Sequence, residues 1–257
     1  MLGGFILLTG MGSPQATRMT TQHLSISGAT SLVPLTKRFL PEWERRHPGV
    51  TVSVTAGGSW AGILTVSAGQ ADIGMADLKP PLGLREQLDA YAAGRLAVVF
   101  IVNPANGVSR ISRAELYSLL QGRIPNWRRL NGKDAPVIIV SRPRSSGARA
   151  MIDRILPRPG LTPDAIIQLS NGAVLKTVRE TPGAMGYVEW RPGMGGVTML
   201  AIDQQRFDAK HLAVWPYFTE PTFYVRKGAS PVVHDLARGL SRSSARADFG
   251  IYDGVGR

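Results

Sequence analysis

The segment LSISGATSLVPLTKRFLPEWERRHPGVTVSVTAGGSWAGI, residues 24–63, decides the fold class. Its first five residues alternate apolar and polar side chains, as a β-strand does, and lead into a hydroxyl-rich turn. Residues 32–47 then carry apolar side chains at helical spacing, and Pro48-Gly49 ends that helix. Residues 50–54 alternate again and predict a second strand, followed by a glycine-rich turn. A strand, a helix and another strand in this order predict an α/β fold.

The rest of the chain continues this alternation. Residues 96–102 (LAVVFIV) form a continuous apolar run, which predicts a strand that is buried on both faces. Ser112 and Glu115 have the spacing of a capping box and predict the start of a helix. The remaining predictions are strands at 72–76, 137–140, 184–188 and 222–225, helices at 61–68, 148–156, 173–180 and 230–240, and a short helix opened by Thr162-Pro163-Asp164. Such alternation predicts layers built on mostly parallel strands.

Composition narrows the classes of partner. The chain of 257 residues contains 30 Lys and Arg against 18 Asp and Glu, a net charge of +12, and no cysteine. This excess favours an anionic partner, which could be a nucleic acid, an anionic lipid or a small anion. Nucleic-acid binding is not expected, because the sequence has no zinc-finger spacing, aromatic RNP-type strand or basic helix. Cysteine-based disulfides and metal sites are excluded.

The N-terminal residues resemble an export signal. An apolar run at 2–11 (LGGFILLTGM) precedes small and polar residues, as in the apolar core and cleavage region of a signal peptide. We therefore expect residues 1–19 to be a signal remnant and the protein to be periplasmic or extracytoplasmic. The alternative for this run is an ordinary buried strand. Elsewhere no run reaches the ~18 apolar residues that span a membrane.

Three turns of similar composition precede predicted helices, at 28–31, 57–62 and 142–147. Each one places hydroxyl groups and free backbone N–H groups at a helix N-terminus, where the positive end of the helix dipole attracts anions. Any single turn of this kind is explained by helix capping alone. Three of them in one chain indicate an oxyanion site, and Arg142 and Arg144 in the third turn could supply positive charge.

Several segments, in order, carry a family resemblance. They are ISGATSLVPL (26–35), HPGVTVSVTAGGSWAGI (47–63), ADIGMADLKP (71–80), AELYSLLQGRIPNW (114–127), VSRPRSSGARA (140–150), NGAVLKTVRETPGAMGYVEW (171–190) and YFTEPTFYVRKG (217–228). On these motifs the chain resembles the phosphate-binding proteins of ABC phosphate importers, which have the type II periplasmic-binding-protein fold. The resemblance implies a two-lobed α/β clamp, each lobe a mixed sheet flanked by helices, with two strands crossing between the lobes.

The resemblance also implies domain limits and partners. Lobe one would comprise residues 20–95 plus 222–257, and lobe two would comprise 96–221, with 96–102 and 222–225 as the crossing strands. The partners would be inorganic phosphate and an ABC permease in the inner membrane. The protein would be a monomer, with no cofactor, no metal and no catalytic activity.

Seven residues of this chain match ligand-binding positions of the family. The resemblance implies hydroxyl or N–H donors from the turns, a carboxylate that accepts a hydrogen bond from a protonated phosphate oxygen, and an arginine as the charged contact: Thr30, Ser31, Ser59, Asp77, Arg142, Ser146 and Gly147. Two positions depart from the family pattern. Ala148 stands where a threonine is usual, and Arg144 stands where an acidic residue often orients the binding arginine.

Two alternative functions are also compatible with the sequence. The same clamp could serve a phosphate or oxyanion sensor, or a secreted scavenger, instead of an importer. In addition, residues 57–61 (GGSWA) superficially resemble the nucleophile elbow of a serine hydrolase, with Ser59 as the nucleophile. Such an enzyme would need a histidine base, and His211 and His234 are the only histidines that follow Ser59.

Overall fold

The computed structural model describes residues 21–253, which fold into two α/β lobes. In the described residues the strands are β1 Gln22–Gly28, β2 Val50–Ala56, β3 Ile73–Ala76, β4 Leu88–Ala92, β5 Arg95–Val102, β6 Arg110–Ile111, β7 Ile138–Ser141, β8 Ile166–Ile167, β9 Ala184–Glu189, β10 Thr198–Met199, β11 Ala201–Ile202, β12 Phe218–Thr219, β13 Thr222–Arg226 and β14 Ile251–Tyr252. The helices are α1 Val33–Arg46, α2 Ser59–Ser67, α3 Leu82–Arg85, α4 Arg113–Leu120, α5 Gly147–Ile155, α6 Asn171–Glu180 and α7 Pro231–Ser241.

The first lobe is built on a five-stranded sheet in the order β2-β1-β3-β13-β4. β1 is parallel to both β2 and β3, whereas β13 is antiparallel to its neighbours β3 and β4. Leu35 and Trp43 of α1 and Leu236 of α7 are buried in a core with Leu24 and Phe223 of the sheet. This burial follows from the helical spacing of the apolar residues, which places them on one side of each helix.

The second lobe is built on a larger mixed sheet in the order β10-β5-β9-β7-β8. β9 is antiparallel to β5 and parallel to β7, and β7 is parallel to β8. Every residue of β5 after Arg95 is buried, as the continuous apolar run predicts. The core of this lobe contains Phe100, Trp127 and Tyr187 among its largest side chains.

The chain passes between the lobes at two neighbouring places. Leu96 belongs to the core of the first lobe, and from Ala97 onward β5 belongs to the core of the second. On the return, β12 pairs with Leu96 and Ala97 before the chain enters β13. The return passage therefore precedes 222–225, because β13 lies inside the first sheet between β3 and β4. The prediction that 222–225 is itself a crossing strand places that crossing a few residues too late.

Most predicted elements are present, and two further predictions are wrong. The capping box is confirmed, with Ser112 Oγ accepting from the Glu115 N–H at 3.2 Å and Glu115 accepting from the Ser112 N–H at 2.7 Å. The helix predicted to open at Thr162 is wrong, because Thr162 Oγ1 accepts from the Asp164 N–H at 3.4 Å in a local turn and the chain extends into β8. The expectation of mostly parallel strands is also wrong, since both sheets are mixed.

No helix within residues 21–253 combines the length and the apolar character that crossing a membrane requires. The signal remnant expected at residues 1–19 lies outside the described residues.

Candidate anion-binding site

A small cavity lies where the two lobes meet. It is lined by residues at or near the ends of strands and the starts of helices in both lobes, namely Ala29, Thr30, Gly58, Ser59, Asp77, Arg142, Ser146, Gly147 and Glu189. In open α/β sheets the carboxyl ends of parallel strands are the usual place for ligands. Six of the seven predicted site residues line this cavity, and the seventh, Ser31, contacts Asp77 directly.

The turn after β1 brings two helix N-termini beside the end of β3. Gly28 has a φ of +136°, and a Cβ there would lie 2.9 Å from Gly62 Cα in α2. Only glycine allows both this backbone conformation and this close approach. The Ala29 N–H donates to the Met75 carbonyl at 2.8 Å, which fixes the turn against β3. As a result, Thr30 and Ser59 lie next to Asp77, which directly follows β3.

Asp77 is held on two sides and leaves one acceptor unused. Its Oδ2 accepts from Ser31 Oγ at 2.6 Å, and its backbone N–H donates to Ser59 Oγ at 3.0 Å. Its Oδ1 is buried and has no hydrogen-bond partner among the described residues. Because an unsatisfied buried acceptor is costly, this oxygen is suited to a ligand that brings its own donor.

The electrostatic surroundings raise the pKa of the Asp77 carboxyl to about 7. The main cause is burial, which disfavours the charged form, and the negative charge of Glu189 adds to it. The hydrogen bond from Ser31 and the positive charges of Arg142 and Arg191 oppose this rise. Asp77 is therefore poised to share a proton near neutral pH.

Arg142 supplies the buried positive charge from the second lobe, directly after β7, and is 2% exposed. One of its terminal nitrogens donates to Asn171 Oδ1 at 2.9 Å, and the other donates to the Leu169 carbonyl at 3.1 Å and to Thr30 Oγ1 at 3.2 Å. Its Nε is buried and has no partner in the described part of the chain. The guanidinium is thus fixed in position while one N–H remains available.

The N-terminus of α5 contributes to the site from the second lobe. Ser146 caps this helix by accepting from the Arg149 N–H at 3.5 Å, and Gly147 is its first residue. The first N–H groups of a helix have no partner within it and carry the positive end of its dipole. A Cβ on Gly147 would lie 3.0 Å from the Asp77 carbonyl oxygen and closer still to the Asp77 Cβ. Glycine therefore permits the two lobes to touch here.

Other contacts also join the lobes around the cavity. The Trp60 N–H donates to the Ser145 carbonyl at 3.2 Å, and Arg191 donates to the Ser31 carbonyl at 3.3 Å. Together with the contact between Arg142 and Thr30, they bring donors from both lobes around one small space. Chemically, this arrangement can surround an oxyanion with hydroxyl, guanidinium and helix N–H donors, and can accept a proton-bearing oxygen at Asp77.

Sequence reasoning missed several members of this site. Glu189 lines the cavity and is 2% exposed, and Asn171 and Leu169 position the Arg142 guanidinium. The sequence carried a signal for Glu189, because it is a charged residue at the end of an apolar strand. The same kind of pattern indicated Arg142. Asn171 carried no comparable signal, because an asparagine at a helix start is usually explained as capping.

Comparison with known proteins shows which family the chain belongs to. The sequence pattern of the PBP superfamily domain matches residues 13–235. The chain belongs to the PBP superfamily.

Individual relatives and solved structures are similar to this chain. The phosphate-binding protein PstS of Bacillus subtilis is 36% identical over 205 residues, which are 76% of this chain and 66% of that relative. The chain thus spans just under two thirds of that relative's length. A Clostridium perfringens structure, described as a phosphate ABC transporter substrate-binding protein with bound phosphate, has a TM-score of 0.82 at 21% identity, covering 90% of this chain and 99% of the other. An ABC-type phosphate transport receptor from Vibrio cholerae has a TM-score of 0.71 at 22% identity, covering 89% and 98%. At these identities the two structures show a shared two-lobed fold.

The two departures from the family pattern have different structural settings. Arg144 is exposed, in contrast to the buried Arg142 two residues before it. Asn171 Oδ1 and the Leu169 carbonyl, both from the second lobe, hold the Arg142 guanidinium, the task expected of an acidic residue at position 144. Ala148 is fully buried in α5 and supplies no hydroxyl group.

The site offers no support for a nucleophilic serine. Ser59 Oγ bonds to the Asp77 N–H, and the chain's four histidines bond to groups other than Ser59. In particular, His211 bonds to Asp208 and His234 bonds to Tyr91. Within residues 21–253 there is also no cluster of three side chains suited to bind a metal ion.

Proposed function

We propose that this protein binds inorganic phosphate in the cavity between its lobes and delivers it to an ABC-type permease. The observation that carries the proposal is the pairing of an unused acceptor, Asp77 Oδ1, with an unused donor, Arg142 Nε, across one small buried cavity. A tetrahedral anion that keeps a proton satisfies both groups at once. The curated relative named for phosphate binding adds support from outside the site.

Closure of the lobes would couple binding to transport. Asp77, Thr30 and Ser59 come from the first lobe, and Arg142 and the start of α5 come from the second. Only a closed arrangement brings both sets to one ligand, so phosphate would stabilise that arrangement. The permease would then recognise the closed form. We propose the lobe limits as residues 20–95 plus 222–257 and residues 96–221.

The cellular setting follows from this role. An importer of this kind acts outside the cytoplasmic membrane, so we place the protein in the periplasm or the extracytoplasmic space, working as a monomer and without catalytic activity. A sensor or a scavenger could use the same clamp. A permease gene beside this one would favour transport.

Selectivity would come from the proton on the anion. Near neutral pH phosphate keeps at least one proton, whereas sulfate has none. Sulfate would therefore leave Asp77 Oδ1 facing another acceptor, and leaving a buried group unpaired costs about 1–3 kcal/mol or more. This amounts to roughly tenfold to more than a hundredfold in affinity. Rejection of sulfate would thus add to the attraction for phosphate.

Calorimetric titration of the purified protein with phosphate, arsenate, sulfate and molybdate tests the proposal. We expect phosphate and the similarly protonated arsenate to bind, and sulfate to bind much more weakly. Asp77→Asn should narrow the difference between phosphate and sulfate, because an amide can donate to sulfate. Asp248→Asn, at an exposed position, is the matched control. Equal binding of sulfate and phosphate by the wild-type protein would contradict the proposal.

A further inference from the structure

Asp77 does not provide the only unpaired carboxylate oxygen at the cavity. Glu189 Oε2 is also buried and has no hydrogen-bond partner in the described residues. Glu189 lines the same cavity as Asp77 and Arg142. When both carboxyl groups are ionised, two buried acceptors without donors at one small site call for a ligand that brings two protons.

The position of Glu189 in β9 directs its side chain toward Arg142. Residues two apart in a strand lie on the same face, so Glu189 shares a face with Tyr187. The Tyr187 hydroxyl bonds to Ser141 Oγ at 2.6 Å and accepts from the backbone N–H of Arg142 at 3.4 Å. Glu189 therefore approaches the end of β7 from the same side as the site.

Charged groups near Glu189 offset its negative charge. Asp77, which follows β3, and Arg191, which follows β9, both interact electrostatically with Glu189, and Arg142, which follows β7, lines the same cavity. Burial lowers the pKa of Arg191, and the negative charges of Glu189 and Asp77 oppose this lowering. Two acids and two arginines thus share one desolvated region, which leaves room for an anion of low charge.

We propose that Glu189 is a second hydrogen-bond acceptor for the bound anion, so that the cavity selects the dihydrogen form of phosphate. This inference rests on the proposed phosphate-binding function and adds a specificity residue to it. In the complex, one P–OH group donates to Asp77 Oδ1 and the other donates to Glu189 Oε2. The two unprotonated oxygens receive donors, among them Arg142 Nε and the N-terminus of α5.

The proposal has a direct consequence for proton balance. Above neutral pH most free phosphate is the hydrogen phosphate dianion, which carries one proton fewer than the site requires. Binding must then take up about one proton from solution, and affinity for total phosphate must fall about tenfold per pH unit. A glutamine at position 189 can donate its amide N–H to an unprotonated oxygen, which removes the need for the second proton.

The test is calorimetric titration of phosphate in buffers of different ionisation enthalpy, repeated from about pH 6 to about pH 9, since the linked protons appear as a buffer-dependent heat. We expect the wild-type protein to take up about one proton at the alkaline end. Glu189→Gln should take up close to none and should lose most of the pH dependence of its affinity. Glu180→Gln, an exposed change of the same kind in the second lobe, should behave like the wild type.

Each outcome decides a separate point. Wild-type binding without proton uptake at alkaline pH would overturn the inference and leave phosphate binding intact, and this measurement does not depend on any variant folding. A Glu189→Gln protein that binds more weakly by the same factor at every pH would show a merely structural role for Glu189. Absence of phosphate binding by the wild-type protein at all pH values would instead overturn the proposed function itself.

Discussion

Asp77 and Arg142 face one cavity from corresponding positions in the two lobes, but their surroundings differ. Each follows a strand of its sheet and lies beside a helix N-terminus. Asp77 is fixed through Ser31 and Ser59, both from its own lobe. Arg142 is fixed by Asn171 and Leu169 of its own lobe and also by Thr30 of the other.

This difference separates two tasks within one site. Burial raises the pKa of the Asp77 carboxyl to about 7, so this side of the site responds to whether the ligand carries a proton. The guanidinium side brings a buried cation, so it responds to the negative charge of the ligand. We therefore expect changes on the Arg142 side to alter affinity for all oxyanions, and changes on the Asp77 side to alter discrimination among them.

The largest expected effect is on the arginine side. Arg142→Ala should weaken phosphate binding by about 2–5 kcal/mol, the range for truncating one partner of a buried charge pair. This corresponds to roughly thirtyfold to several thousandfold in Kd. Arg144→Ala, two residues away and exposed, is the matched control and should cost much less. Calorimetric titration of both variants with phosphate measures the two losses of affinity. Equal losses would show that the two arginines have been assigned the wrong roles.

The second largest effect is expected where the two lobes touch, at the contact of Gly147 with Asp77. Gly147→Ala would place a Cβ against Asp77, and overpacking of this kind costs about 1–3 kcal/mol. Because the clash exists only when the lobes touch, phosphate affinity should fall while the melting temperature without phosphate stays unchanged or rises. Gly172→Ala is the control, since its Cβ would meet only Ser170 Oγ at 3.9 Å. Undiminished phosphate affinity in Gly147→Ala would show that the closed contact is not needed for binding.

A smaller effect is expected where the second lobe lacks a hydroxyl group. Ala148→Thr should strengthen phosphate binding by about 0.5–1.5 kcal/mol if its hydroxyl reaches the anion. Ala148→Val has nearly the same shape without the hydroxyl, so the ratio of the two affinities removes the cost of filling a fully buried position. Identical affinities for the two variants would mean that position 148 does not reach the ligand.

The smallest effect concerns stability without ligand. The pKa of Asp77 is raised above its ordinary value of 3.8, so the folded form holds a proton that the unfolded chain releases between about pH 4 and 7. The stability associated with this proton is present at low pH and is lost as the pH rises through about 7. Relative to Asp77→Asn, the wild type should therefore lose a few degrees of melting temperature between about pH 5 and 8, since 1 kcal/mol shifts a domain of this size by about 2–4 °C. Parallel melting curves for both proteins would contradict this origin of the pKa shift.

Local sequence patterns predicted the parts of the fold that depend on neighbouring residues. The alternation in β1 and β2 and the capping box at Ser112 depend on residues close in sequence, and the structure contains all three. The helix expected at Thr162 failed because Thr-Pro-Asp suits both a helix start and a local turn, and pairing of β8 with β7 decides between them. Tertiary pairing of this kind leaves no local signature.

The same limit applies to the site. Arg142 and Asp77 stood out because each charged residue follows an apolar strand and fits a family motif. That Asn171 would position Arg142, and that Glu189 would lie at the same cavity, depends on how α6 and β9 pack beside β7. These contacts join residues far apart in sequence, so spacing alone could not reveal them.

The most direct test of a phosphate site shared by both lobes is a crystal structure of the protein grown with phosphate near neutral pH. We expect one phosphate between the lobes, with one oxygen within hydrogen-bond distance of Asp77 Oδ1 and another near Arg142 Nε. Donors from the N-termini of α2 and α5 should complete its surroundings. A phosphate bound elsewhere, or bound by one lobe alone with Asp77 turned away, would contradict the central claim that both lobes form a single phosphate site.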